Sequence, residues 1–452
     1  MKHLYRVFGL FAAAVFCMAH AQEEGAPARG RETAGPPTKT TFIRLTNNAN
    51  AVMVEPVTPD PVKSRIVLLI THPERANNIN GAAPMARYGY RTMMMNYYGP
   101  EIAYEEFLLP LAAAVKAARA TPGVEKVVLM GHSTGGPELA FYQDVAENGP
   151  KACQEPVRVY KCDSKGIENL PRADGLIAFD ANSGAPDRTI AFDPAVDPHN
   201  PARKPDPALD SYDPRNGFDP KTNGAQYSEE FKKKFFAAQG TRVNQLIDEA
   251  LVRLKLIEQG KGLYTDDEPF VVFGGSKGAD GARLDLADVR LLSRTRAPHL
   301  LLKADGTRSV EIWHNLLEPS ARPQDAHTLY GTTSTTMNVT VRHFLSFFGQ
   351  RTRPGYGLTE DSIDGIEWRG TASSIQGDVE GIRVPTLVVA ATCADHMVMG
   401  EITFDHSAAK DKELVGVEGS NHNFQPCKPQ YGDVAKRAYD YVDGWLSKPG
   451  RF

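Results

Sequence analysis

"KVVLMGHSTGG", Lys126 to Gly136, decides how this chain folds. The apolar run Val127–Met130 reads as a buried strand, and "TGGPELAFYQDVAENG" resumes at once with the pattern of a helix. A strand that turns into a helix within one or two residues holds the turn residue out from the sheet edge, and here that residue is Ser133. Gly131, Gly135 and Gly136 let neighbouring backbone come close. The Thr134 amide falls at a helix N-terminus, where an N–H lacks an intrahelical acceptor and can stabilise negative charge. A G-x-S-x-G pentapeptide alone is weak evidence, but a strand before it and a helix after it make Ser133 a nucleophile candidate rather than a serine in an inert or phosphate-binding turn.

The alternation extends outward from this turn. Upstream, "TTFIRLTNNANAVMVEPV" reads as two strands about an Asn-rich turn, and "SRIVLLITH" (64–72) as a strand buried on both faces. "ARYGYRTMMMNYYG" gives a short helix end and a strand, and "EIAYEEFLLPLAAAVKAARATPG" a helix with acids in its first turn and Lys116 and Arg119 near its end. Downstream, "ADGLIAFDANSG" (173–184) is another buried strand. Strands and helices in turn predict an α/β fold with a mostly parallel sheet flanked by helices.

From Ala185 to about Gly224 the rhythm stops in a run dense in Asp-Pro and Asn-Gly, which reads as loop. A long amphipathic helix follows from its N-cap Ser228, and then turns and one further helix, "TMNVTVRHFLSFFGQ". Strands return at "GIRVPTLVVAAT" (381–392) and "DKELVGVEG" (411–419), and "VAKRAYDYVDGWLS" ends the chain as a helix. The expected organisation is therefore a sheet domain over 41–184 and 376–452, interrupted by an insertion over 185–375.

Composition bounds the partners. The 452 residues are 41% hydrophobic and 23% charged with a net charge of −4, so there is ample core and no basic excess to attract nucleic acid. At the N-terminus, Lys2 and Arg6 precede "VFGLFAAAVFCMA" and Ala19-His20-Ala21, the pattern of a signal peptide over 1–21, followed by a polar linker over 22–40. That apolar run is shorter than the roughly 20 residues a membrane-spanning helix needs. The expectation is an exported protein, periplasmic or secreted, with no membrane span after cleavage. Cys17 would leave with the signal, and Cys153, Cys162, Cys393 and Cys427 then suggest two disulfides with three possible pairings. With no C-x-x-C pair a structural zinc site is not expected, and the Asp193–Asp219 run lacks a calcium-loop spacing, so no metal is expected.

At Ser133 and its flanks the sequence resembles the α/β-hydrolase superfamily, over about 41–184 and 376–452. The resemblance implies the order nucleophile, acid, histidine. "VPTLVVAATCADHMV" is similar to the acid-bearing strand and loop, with a loop one residue longer than usual, and places Asp395 in the acid role; "LVGVEGSNHNF" nominates His422. Asp180, closing "LIAFD", stands where some lipases of the family carry the acid, but reads here as a loop-capping carboxylate. Pro73 has no N–H, so the oxyanion donors implied are the amides of Glu74 and Thr134. His132 and His396 read as packed or solvated neighbours, and Tyr97, Tyr98, Trp313 and Trp368 as core aromatics that could instead line a pocket.

What the resemblance implies is a serine hydrolase of carboxylic esters that needs no cofactor, with the insertion as a cap over the site. Amide hydrolysis by the same triad, or a non-catalytic binding protein on the same fold, are the other readings. If Asp395 meets His422, their loops adjoin, so Cys393 pairs with Cys427 and Cys153 with Cys162.

Overall fold

The computed structural model describes residues 36–46, 48–71, 79–97, 103–200, 203–276, 281–321 and 336–452. The signal-peptide reading of 1–21, most of the linker, Glu74 and Tyr98 lie outside them.

The centre is a ten-stranded sheet. Its strands in chain order are β1 (Thr38–Arg44), β2 (Ala49–Pro56), β3 (Ile66–Thr71), β4 (Arg91–Tyr97), β5 (Lys126–Ser133), β6 (Gly175–Ala181), β7 (His299–Leu302), β8 (Arg308–Glu311), β9 (Thr386–Ala391) and β10 (Lys412–Val417). In space they run β1-β2-β4-β3-β5-β6-β9-β10-β7-β8. From β4 through β3, β5, β6, β9 and β10 to β7 every pairing is parallel, and the hairpin strands at the two edges are antiparallel. All residues of β3, β6 and β9 are buried, as parallel strands covered on both faces require.

The two faces take alternate residues of each strand. Val127 and Leu129 of β5 join one core with helices α2 (Leu108–Ala120) and α3 (Gly135–Asn148), while Val128 and Met130 join the other with α1 (Ile79–Arg87) and the closing helix, Val434–Leu446. The fold is that of the α/β-hydrolases, as expected, and it brings the C-terminal ends of β5, β6 and β9 side by side.

The insertion departs from the expectation in one respect: part of it belongs to the sheet. Leu300–Leu302 pair in parallel with Val415–Val417, and the chain turns at Asp305-Gly306 into β8. Leu301 and Leu302 are buried by that pairing, and the Asp305 carboxylate accepts the Thr307 amide at 2.9 Å across the turn. The rest packs a satellite core in which Val243, Ile247 and Ala250 of the long helix α4 (Glu229–Glu258) meet Phe344 and Leu345 of α5 (Val341–Phe348). Ser228 caps α4 as read from the sequence, its hydroxyl accepting the Phe231 amide at 3.1 Å.

Candidate active site

Only Thr134 separates β5 from α3, so the chain reverses at Ser133, which sits at φ 55°. This left-handed conformation costs a non-glycine residue about 1–2 kcal/mol and persists because its neighbours fix it. The glycines show how. A Cβ at Gly135 would come 2.3 Å from the Thr71 carbonyl oxygen, and one at Gly136 would come 2.2 Å from the Ala181 Cβ. The start of α3 is thus wedged between the ends of β3 and β6, with Ser133 at the edge, partly exposed. The Thr134 amide lies at the start of the α3 helix, and the Thr134 hydroxyl accepts from Asn182 Nδ2 at 3.1 Å.

His422 is carried on a loop bonded to itself. The Asn421 carboxamide oxygen accepts the amides of Asn423 and Gln425, each at 3.0 Å, and the Cys427 amide returns to the Gly419 carbonyl at 2.9 Å. His132, next to Ser133, donates from Nε2 to the His422 carbonyl at 2.8 Å, and the two rings stack with centroids 4.6 Å apart. His132 therefore supports the histidine loop, a role that its reading as a packed neighbour left open.

The partner of His422 is where the structure differs from the expectation. His422 Nδ1 donates to Asp180 Oδ2 at 2.7 Å. Asp180 is buried at the end of β6 with φ 42°, and its other oxygen accepts the Ala391 amide of β9 at 2.9 Å. That amide fixes the carboxylate across two strands and aims it at the ring. Asp395, expected in this position, turns toward the insertion instead. Its Oδ2 accepts from Arg283 Nη1 at 2.6 Å, and its Oδ1 lies 3.3 Å from His396 Nδ1. The reason is charge: Arg283 is fully buried, and a buried guanidinium needs carboxylates around it, here Asp285 and Asp395.

The electrostatics follow these partners. Burial by itself lowers the pKa of His422, but the hydrogen bond and charge of Asp180, with Asp395 and Asp187 beyond, raise it above its ordinary value. Burial raises that of Asp395, but His396 and Arg283 outweigh it and hold the carboxyl well below the usual range. A cavity bounded by Val289, Leu291, Leu292, Asn315, Leu317 and Asp395 lies beside this cluster. Donor atoms of Asp180, His396 and His422 all lie within 4.8 Å of one another.

Both disulfides pair as expected, Cys393 with Cys427 (Cα–Cα 6.4 Å) and Cys153 with Cys162 (5.6 Å). The first ties the loop after β9 to the histidine loop, helped by the Cys393 amide on the Ser420 carbonyl at 2.8 Å. Those loops adjoin although Asp395 does not hold His422, because β9 and β10 are sheet neighbours. Tyr97 packs on Phe107, and Trp313 is buried with its Nε1 on the His299 carbonyl at 3.1 Å, so both belong to the core. In the Asp-rich run, Lys204 occupies Asp193 and Asp210 at 3.2 and 2.7 Å. Sequence reading missed Arg283 and the coupling of His396 to the site, and the turn-rich stretch that carries Arg283 offered no periodic signal for it.

No family model and no curated protein matches the chain. Among solved structures it is similar to a hypothetical protein, PA2218, of Pseudomonas aeruginosa, at 13% identity and TM-score 0.42, over 92% of this chain and 94% of that one. It is also similar to the siderophore hydrolase EstB of Aspergillus fumigatus, at 12% identity and TM-score 0.41, over 91% and 97%. Est1E of Butyrivibrio proteoclasticus aligns at 11% identity and TM-score 0.36, over 91% and 98%. Likeness this remote carries no argument about chemistry, which rests on the chain's own geometry.

Proposed function

We propose that this protein is a serine hydrolase of carboxylic esters, with Ser133 as nucleophile, His422 as base and Asp180 as the acid that orients it. The observation that carries the reading is the 2.7 Å bond from His422 Nδ1 to the buried Asp180, whose neighbour Ala181 pairs in the sheet with a serine held at φ 55° on a strand-to-helix turn. With Nδ1 donating, Nε2 is the nitrogen that takes a proton. Ser133 Oγ gives its proton to Nε2 as it attacks the ester carbonyl, and the carbonyl π electrons move to oxygen. The Thr134 amide stabilises that oxyanion together with the amide of Glu74, each donor contributing roughly 3–4 kcal/mol. Collapse breaks the ester C–O bond, and His422 returns the proton to the leaving alcohol. Water, deprotonated by the same nitrogen, then attacks the acyl-enzyme and releases the acid and free Ser133. No step needs a cofactor.

The insertion, apart from β7 and β8, acts in this reading as a cap. What supports it is Arg283, which crosses from the insertion to Asp395 at 2.6 Å. Two disulfides support an exported protein, since an oxidising compartment preserves them. Among the described residues no helix is long and apolar enough to cross a membrane. Labelling with a fluorophosphonate tests the reading. One adduct, mapped to Ser133 and absent from Ser133→Ala, together with turnover of an ester panel graded in acyl length, is the expected result. An adduct on another serine, or labelling that persists in Ser133→Ala, overturns it.

A further inference from the structure

His396 is the group in this cluster that the hydrolytic mechanism does not use. It is 5% exposed, and neither ring nitrogen has a hydrogen-bond partner. Its Nδ1 lies 3.3 Å from Asp395 Oδ1 without hydrogen-bond alignment, its Nε2 lies 3.9 Å from Asp187 Oδ2, and its ring centroid is 4.9 Å from that of His422. A buried imidazole with both nitrogens unsatisfied costs about 1–3 kcal/mol for each polar group left unpaired, so its presence calls for a ligand or a role.

The surroundings favour a cation. The carboxylates of Asp180, Asp187, Asp285 and Asp395 converge here, and Arg283 is the guanidinium that the last three share. Asp187 Oδ1 is also buried without a partner. Two imidazoles and one carboxylate, from Asp180, His396 and His422, have donor atoms within 4.8 Å of one another. This is a donor set that zinc and its neighbours, copper and nickel, take in preference to magnesium or calcium. The four described cysteines outside the signal region are in disulfides, so no thiolate among them competes for the ion.

We propose that Asp180, His396 and His422 bind one divalent transition-metal ion of the zinc class, and that its binding reversibly switches the enzyme off. The inhibition rests on the serine-hydrolase reading; the binding does not. Ligand bonds of about 2.0–2.2 Å place tetrahedral donors roughly 3.3–3.6 Å apart. The Asp180–His422 pair, now 2.7 Å apart, must therefore open while His396 swings in. His422, the ligand with a partly exposed side chain, has the freedom to move. Nδ1 of His422 then gives its lone pair to the metal, and the proton that it held toward Asp180 is carried on Nε2 instead, where it blocks the base. The histidine loses its acid and its position together, which is why an occupied site cannot hydrolyse an ester.

Zinc titration against a chromophoric chelator, on full-length Ser133→Ala, reads binding without activity. One equivalent bound, lost or weakened about tenfold or more in Ser133→Ala with His396→Gln, is the expected result. On the active wild-type enzyme, zinc should half-inhibit at the concentration that half-occupies the site, EDTA should restore turnover, and magnesium should do nothing. Zinc that fails to bind folded Ser133→Ala, or that binds equally after His396→Gln, overturns the site. Binding without inhibition of an active wild type overturns the switch, whereas a wild type inert toward every ester counts against the hydrolase reading and leaves the binding result standing. Should His396→Gln not fold, a zinc-soaked crystal decides the matter: anomalous density between the three side chains supports the site, and density elsewhere only sinks it.

Discussion

Asp180 lies at the end of β6 and Asp395 follows the adjacent parallel strand β9, at the same edge of the sheet, yet they face different partners. Asp180 is fully buried, takes one backbone amide from β9, and gives its other oxygen to His422. Asp395 is partly exposed and answers the buried guanidinium of Arg283. Among the described residues no Lys or Arg pairs with the β6 carboxylate, so its field acts on the imidazole. The β9 carboxylate spends its charge on holding the insertion. A carboxylate's role at this edge is thus set by which partner the fold delivers to it.

Replacing each partner separates the two roles. Asp180→Asn has the largest expected effect, a loss of about 10⁴-fold in kcat at nearly unchanged KM, because an amide at this position favours the wrong tautomer of His422. Steady-state kinetics on a chromogenic ester measure it, and a loss under tenfold would return the acid role to Asp395. Arg283→Met should lower stability by about 3–5 kcal/mol, seen in urea unfolding, since it strands Asp285 and Asp395 without their cation. An unchanged denaturation midpoint would mean that the pair does not anchor the insertion.

Removing the Cys393–Cys427 bridge as the Cys393→Ala, Cys427→Ala double variant should cost up to about 4 kcal/mol by chain entropy. Its kcat should fall less than that of Asp180→Asn, because the Asp180–His422 bond does not pass through the bridge. Asp395→Asn is expected to be the mildest, changing kcat by less than about tenfold, and its signature should be in stability. A deep kcat loss in this variant with Asp180→Asn silent would invert the comparison.

Much of this architecture was legible in local pattern. The buried strands around Val67, Leu129, Ile177 and Val388, the turn at Ser133 and the cap at Ser228 rest on hydrophobic period and short-range chemistry, which neighbours in sequence suffice to specify. β7 and β8 were overlooked although "HLLLKADGTRSVEIW" carries an Asp-Gly hairpin signal, because they lie inside an insertion otherwise read as cap. Their place beside β10 depends on a pairing partner more than a hundred residues away.

By itself the sequence determined the α/β order, the strand-to-helix turn that exposes Ser133, and the histidine loop with Cys427 beside it. These follow from the residues at hand. The choice between Asp180 and Asp395 belonged to the tertiary structure, since both stand at the end of a buried strand and both are ordinary acids in sequence. What separates them is the Ala391 amide, which fixes one carboxylate under His422, and a guanidinium from the insertion, which claims the other. Charges separated by 112 residues in the chain meet at hydrogen-bond distance only once the chain has folded, and the field they make there is a property of that meeting.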